Sequence, residues 1–395
     1  MRATMGRVDA TERPKMPTPL PAAIAVDFPL FAFSHCRDVV AAVSRAGGFG
    51  VFGAAGYSPE ELEIELAWID AHTDGKPYGV DLLIPENLTV RTQRGMTRGD
   101  LAGSIPETHR SFVEGLLRRH GVDPTRRLEN YTRDDPDRPP PYQFETGELL
   151  MDVAFRHPIK LIANALGVPP ASMLERARAH GIPCAALVGA REHAVRQIEA
   201  GVDVLVAQGG EAGGHCGEVS TLVLIPEVMR AVRGLRPVPV LAAGGIMTGR
   251  QMAACMAMGA SGVWTGSVWL ATTESETSPV FREKMVAARS RDTVRSRGRT
   301  GKPARQLRSA WTDAWEGPDS PGPLPMPLQG ILSEPAMRRV TQAAEGGNEQ
   351  ARALVSYFVG QGVGLVQGVN SVRSVVQDFM MEYAEALEDM RALAG

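Results

Sequence analysis

Residues 207–217 read AQGGEAGGHCG: one acid, one histidine and one cysteine among five glycines. The stretch follows VDVLV, an apolar β-branched run that predicts a buried strand. Glycine at this density costs conformational entropy on folding, so the backbone here must come close to something. Gly209, Gly210, Gly213 and Gly214 would let main chain approach a planar ligand without Cβ clashes, with His215 projecting over that ligand. An imidazole so placed serves in catalysis or in direct ligand contact. Glu211 is expected to hydrogen-bond its own loop. Cys216 is not expected to act as a nucleophile, since adjacent residues rarely point the same way. The other seven histidines show no metal-ligand spacing, and His35 is the one expected near the same mouth.

Two more strand ends carry chemistry. VPVLAAGGIMTGRQ (238–251) and GVWTGSVWLA (262–271) each end an apolar run in a small, backbone-exposing pair, Gly244–Gly245 and Gly266–Ser267. Such pairs after the last two strands of a barrel bind phosphate through main-chain N–H groups and a helix N-terminus. Gly48, Gly50 and Gly53 also form a GxGxxG, but a helix precedes it and a strand runs through it. A dinucleotide fingerprint needs the reverse context, so this one reads as a tight helix-to-strand connection.

The elements that must position these residues repeat along the chain. Strands are predicted at 30–33, 49–52, 78–84, 159–164, 184–188, 203–207, 238–242 and 262–265, with helical patterns between them. SPEELEIELAWIDAH opens on a capping box, with Ser58 as N-cap, Pro59 next and Glu61 at N3; Leu62, Leu66 and Ile69 then share a face. REHAVRQIEAG and TGRQMAACMAMGA each stop at a glycine. Strand–helix alternation of this kind implies an α/β protein with a parallel sheet, and eight units imply a (β/α)8 TIM barrel. An open doubly wound sheet is the alternative.

The implied organisation is a lead-in over 1–22 and a barrel over 23–280 with a lid-like insertion after strand 3, at about 88–145; a C-terminal helical and loop extension over 281–395 packs on the barrel. In the closing helix Val372, Val376, Phe379, Tyr383, Leu387 and Met390 follow helical spacing. The extension also carries a basic run: Arg291, Arg295, Arg297, Arg299, Lys302, Arg305 and Arg308. It reads first as a solvated surface and second as a binder of an acidic substrate or cofactor tail. Nucleic acid ranks last because no aromatic residues interleave it.

Apolar residues make up 44% of 395, enough for a large core, and a net charge of −3 gives no global argument for nucleic acid or an anionic membrane. Cys36, Cys184, Cys216 and Cys255 lack CxxC spacing, which suits a reduced, cytoplasmic protein without disulfides or zinc. No stretch reaches the roughly 18 apolar residues of a membrane span, and the N-terminus has no export-type apolar region.

At AAVSRAGGFG, PYGVDLLIP, AQGGEAGGHCG, PVLAAGGI, GASGVWTGSVWLAT, TGKPAR and GQGVGL the chain resembles the nitronate monooxygenase (2-nitropropane dioxygenase) family of FMN-dependent barrels, over about residues 24–385. The resemblance implies one FMN per barrel. Its phosphate would lie on the backbone of Gly244, Gly245, Gly266 and Ser267, and its ring against Ala32 and Phe33. Lys160 would reach the ring and stabilise negative charge, Gln208, Gly213 and Gly214 would line the other flank, and His215 would stand over the flavin as base or hydrogen-bond donor. The chain departs from the family in three places. Asp81 stands where the family usually has asparagine, and an acid there would oppose negative charge on a reduced ring unless protonated or turned away. Cys216 replaces a polar or basic follower of the histidine, and the 88–145 insertion is outside the common core.

The first functional expectation is oxidation of alkyl nitronates with O2 to a carbonyl compound and nitrite. The second is an FMN-dependent reductase or dehydrogenase of enoyl or acyl thioesters, with the basic run and insertion holding a CoA or carrier-protein phosphate. The third is a flavin-free barrel binding a phosphorylated metabolite. The expected partners are a small-molecule substrate and O2, with neither nucleic acid nor membrane. The apolar VSYFVGQGVGLV suits a subunit interface, as in a homodimer, or the core.

Overall fold

Residues 19–84, 96–126, 135–139 and 144–394 are described by a computed structural model. Most of the expected lead-in lies outside them, as do the RTQRG stretch and the central prolines of the insertion.

Eight parallel strands close into a barrel: β1 (Leu30–Ser34), β2 (Phe49–Gly53), β3 (Tyr78–Leu82), β4 (Leu161–Asn164), β5 (Cys184–Val188), β6 (Val204–Gln208), β8 (Val240–Ala243) and β9 (Gly262–Thr265). The order runs in sequence and β9 pairs back to β1, with Phe31 opposite Trp264. Alternation along each strand sorts side chains between two cores. Phe31, Phe49, Val51, Leu161, Val206, Leu241 and Trp264 fill the lumen. Leu30, Ala32, Val263 and their neighbours pack outward on the helices. The expected capping box is present: Ser58 Oγ accepts from Glu61 N–H, Glu61 Oε2 accepts from Ser58 N–H, and Leu62, Leu66 and Ile69 are buried. Gly50 belongs to packing, since a Cβ there would lie 2.3 Å from the Val40 carbonyl oxygen. The GxGxxG is therefore a seam between strand and helix.

A small second sheet was not foreseen. The two-residue β7 (Gly214–His215) pairs antiparallel with β11 (Ala304–Leu307), which pairs with β10 (Thr293–Ser296). It ties the glycine-rich loop after β6 to the C-terminal part of the chain.

The insertion and the C-terminal extension share one core. The helix Glu107–Arg119 buries Val113, Leu116 and Leu117 against Trp311, Trp315, Met337 and Val340 of the extension. Together they form a helical cap on the barrel, where the sequence pattern presents two separate additions. Val355, Val359 and Val363 of the VSYFVGQGVGLV segment belong to this core. The last helix, Val372–Ala394, buries Val372, Val376 and Phe379, half-buries Tyr383 and Leu387, and leaves Met390 exposed. Glu382 accepts from Gly249 N–H at the start of the helix after β8. Among the described residues no helix is long and apolar enough to cross a membrane.

Candidate active site

A cavity of about 910 Å³ lies between the carboxyl ends of the strands and the cap. Ten of the expected site residues line it: Phe33, Asp81, Gln208, Gly213, Gly214, His215, Gly244, Gly245, Gly266 and Ser267. His35 lines it as well, with Nδ1 2.7 Å from the Gly53 carbonyl oxygen. Two expected residues do not. Lys160 precedes β4 at the amino end of the barrel, exposed, with its N–H donating to the Tyr78 carbonyl; strand direction alone puts it at the far end from the cavity. Ala32 points outward, because in β1 its neighbours Phe31 and Phe33 take the lumen side. These placements remove both from the ligand wall.

The glycine loop is built differently from a bare ligand cradle. A Cβ at Gly209 would meet the Thr221 backbone at 2.4 Å, one at Gly210 the Gly217 carbonyl at 3.2 Å, and one at Gly213 the Gly360 nitrogen at 2.8 Å. These three glycines let chain pack on chain. Gly214, with φ +75°, meets nothing within 4 Å, and Gly266 meets only a carbonyl at 4.0 Å. Room for a ligand is therefore concentrated at Gly214 and Gly266. Glu211 behaves as expected of a loop residue: its carboxylate accepts from the N–H and hydroxyl of Thr221 at 2.8 and 2.9 Å. Burial raises the Cys216 thiol, whose sulfur sits 3.6 Å from the Gly210 carbonyl, so it is not poised as a nucleophile.

His215 owes its position to β7, which fixes the backbone, and to Thr300, whose Oγ1 lies 2.8 Å from Nε2. The Thr300 hydroxyl has two acceptors in reach, this nitrogen and the Lys302 carbonyl at 3.1 Å. Thr300 thus fixes the ring through Nε2, and the tautomer follows from which of the two acceptors takes the hydroxyl proton. Burial, with the Lys302 charge adding to it, pushes the imidazole down to about 4, so it is neutral at ordinary pH. Thr300→Val is expected to lower kcat about tenfold, the rate equivalent of roughly 1.4 kcal/mol, with KM little changed. A KM change without a kcat change would show that Thr300 only shapes the pocket.

Asp81 sits in β3 beneath the cavity, 4% exposed, with no hydrogen-bond partner for Oδ1 among the described residues. Burial alone pushes its carboxyl up to about 8. It is therefore a neutral acid at pH 7, able to donate as well as accept.

The basic run divides between a solvated face, where Arg291, Arg297 and Arg308 are exposed, and residues bonded into the protein. Arg299 is buried, bonded to Glu334 at 2.8 and 3.1 Å and to the Ser356 carbonyl, with its guanidinium near the rings of Tyr357 and Phe358. Arg305 donates to the Gly210 carbonyl at 2.9 Å and Arg295 reaches Glu218, so both hold the loop that carries His215. Arg308 pairs with Asp313. Thr300 is the main residue that sequence reasoning left without a role, and Arg299 enters there only as a member of the basic run. TGKPAR marked the place, but only the pairing of β7 with β11 brings residue 300 to residue 215.

A closed parallel barrel with a deep cavity at its carboxyl ends, walled by glycine turns, a neutral histidine and a buried acid, defines a TIM-barrel enzyme. The chain belongs to the nitronate monooxygenase family, whose model matches residues 113–382. A Mycobacterium tuberculosis protein named as a monooxygenase is 52% identical over 94% of this chain and 97% of its own length. A Staphylococcus saprophyticus protein named as a nitronate monooxygenase is 30% identical over 90% and 95%. Among solved structures, a nitroalkane oxidase from Streptomyces ansochromogenes aligns with TM-score 0.73 and 25% identity, covering 92% of this chain and 98% of that one. FabK from Thermotoga maritima aligns with TM-score 0.66 and 26% identity, covering 94% and 97%. The chain is thus an oxidoreductase of monooxygenase type.

Proposed function

We propose that the protein is an FMN-dependent monooxygenase that oxidises alkyl nitronates with O2 to a carbonyl compound and nitrite. The observation that carries this reading is His215, a neutral imidazole oriented by Thr300 on the wall of the cavity. The residues present fit FMN. Gly244, Gly245, Gly266 and Ser267 would hold its phosphate through main chain at the ends of β8 and β9. Phe33, Gln208, Gly213 and Gly214 would flank its ring, and the unpaired carboxyl oxygen of Asp81 would find its partner there. When bound, FMN supplies the redox chemistry that a side-chain set of this kind lacks.

His215 decides which form of substrate enters. A group titrating near 4 is a weak base for carbon at neutral pH, whereas its N–H is a good donor to an anionic oxygen. The substrate is therefore the nitronate anion, held by His215, and not the neutral nitroalkane. Thioester reduction would call on the basic run to bind a phosphate tail. Arg295, Arg299 and Arg305 are instead bonded within the protein and Arg308 pairs with Asp313 at the surface, which leaves fewer charges of the run for such a tail and favours the nitronate.

Anaerobic mixing of the holoprotein with propyl-2-nitronate should bleach the visible flavin band, and NADH or NADPH should leave it unchanged. Bleaching by the nicotinamide alone would move the assignment to thioester reduction. A purified protein with no flavin band would end both readings.

A further inference from the structure

We propose that the site selects nitronates with an extended apolar body, which lies along one face of the cap helix Leu328–Glu345. The inference rests on the nitronate reading above and names the substrate class within it. Every residue offered to the cofactor comes from the barrel strands or from the turns that follow β6, β8 and β9. The opposite wall comes from the cap, so that wall faces substrate. One face of the cap helix lines the cavity from Gly330 through Ile331, Glu334, Met337 and Arg338 to Gln342. At 1.5 Å per residue this wall runs roughly 18 Å, far longer than a two- or three-carbon nitronate needs.

Ile331 and Met337 are the apolar side chains of this face, beside Arg338, Thr341 and Gln342, and further apolar groups stand around them. Phe281, Met326, Val355, Tyr357 and Phe358 face the same space. Glu334, the helix's central acid, is held ionised by Arg299 against the effect of burial, so the pair adds little net charge to the wall. Ser333 Oγ donates to the Arg299 carbonyl, which places mid-helix beside the residue that precedes Thr300, and so beside His215. The helix face therefore extends in both directions from the level of the reacting group. At Gly330 a Cβ would meet nothing within 4 Å, which marks open space against the helix itself.

The test is a chain-length series on the holoenzyme: ethyl, butyl and hexyl nitronates, compared by kcat/KM. Burial of each added methylene is expected to raise kcat/KM by up to about fourfold. Gly330→Leu puts a branched side chain into the open space on a helix it also favours, and should bring the hexyl-to-ethyl ratio down towards one. Equal kcat/KM at all lengths, or an unchanged ratio in Gly330→Leu, would overturn the proposal. If no nitronate is oxidised at all, the functional reading fails by itself. Calorimetric binding of octanoate against butanoate then decides the chamber: at least about tenfold tighter binding of octanoate supports it, and equal affinity rejects it.

Discussion

With the proposed function, His215→Ala is expected to lower kcat on nitronates by about 10²- to 10⁴-fold and to leave flavin binding intact. The imidazole is the oriented polar group at the cavity wall, whereas the cofactor's proposed contacts are main chain, Phe33, Gln208 and Asp81. Removing the ring therefore removes stabilisation of substrate charge in the transition state and leaves the binding surface nearly whole. The wild-type acid limb of kcat/KM should fall only near pH 4, where the buried ring takes a proton. Stability gives a second readout. The folded value lies below the ordinary histidine value of 6.5, so the stabilising preference for neutral imidazole is complete above pH 6.5 and is lost as pH falls through about 4. The alanine variant should lose less melting temperature over that window than wild type. Turnover within threefold of wild type would reduce His215 to packing.

The barrel was legible in the sequence because a buried parallel strand and an amphipathic helix have different periods, and eight alternations leave little else to build. Ser58 and Glu61 marked a helix start through local hydrogen bonds, which need no distant partner. Residues whose role depends on direction were harder. Lys160 sits one residue before a strand correctly located, but the strand runs away from it towards the cavity. Ala32 and Phe33 are adjacent, yet alternation sends one outward and the other inward.

Long-range pairing was the least legible. β7 has two residues, too few to show a period, and its partner β11 lies some ninety positions on, inside a stretch whose arginines suggest solvent. The same limit hid the cap. Val113, Leu116 and Leu117 show an apolar face without saying that Trp311 and Met337 cover it. Gly213 of the opening loop answers to distant chain too, since it and Gly360 approach backbone to backbone, while Gly209 and Gly210 pack on residues 217–221 and Gly217 on Gly189. Counting glycines exposed a close approach, but only the fold shows that chain meets chain at most of them and that ligand space opens at Gly214.

Asp81→Asn is expected to stabilise the apoprotein at alkaline pH and to abolish a pH dependence of FMN binding. The carboxyl moves from an ordinary value of 3.8 up to about 8 on folding because burial in the lumen disfavours its charged form and no cation answers it. Below 3.8 folded and unfolded chains both hold the proton. Between 3.8 and 8 only the folded chain does, so unfolding releases a proton and stability falls as pH rises, until the buried carboxyl itself ionises. Asparagine has the same shape and no proton to lose. Its melting temperature should therefore exceed wild type by at least about 3 °C at pH 8 and above, and the gap should close on the acid side. FMN binding to the apoprotein, followed by flavin fluorescence, should weaken about tenfold per pH unit above 8 in wild type, as the donor proton is lost and a negative charge enters the ring site. In Asp81→Asn the same titration should be flat. A wild-type titration that is already flat to pH 9, together with an unchanged melting profile in the variant, would mean that the carboxyl is ionised at neutral pH and has found a partner. The asparagine of the family and the aspartic acid of this chain would then play different parts at one position.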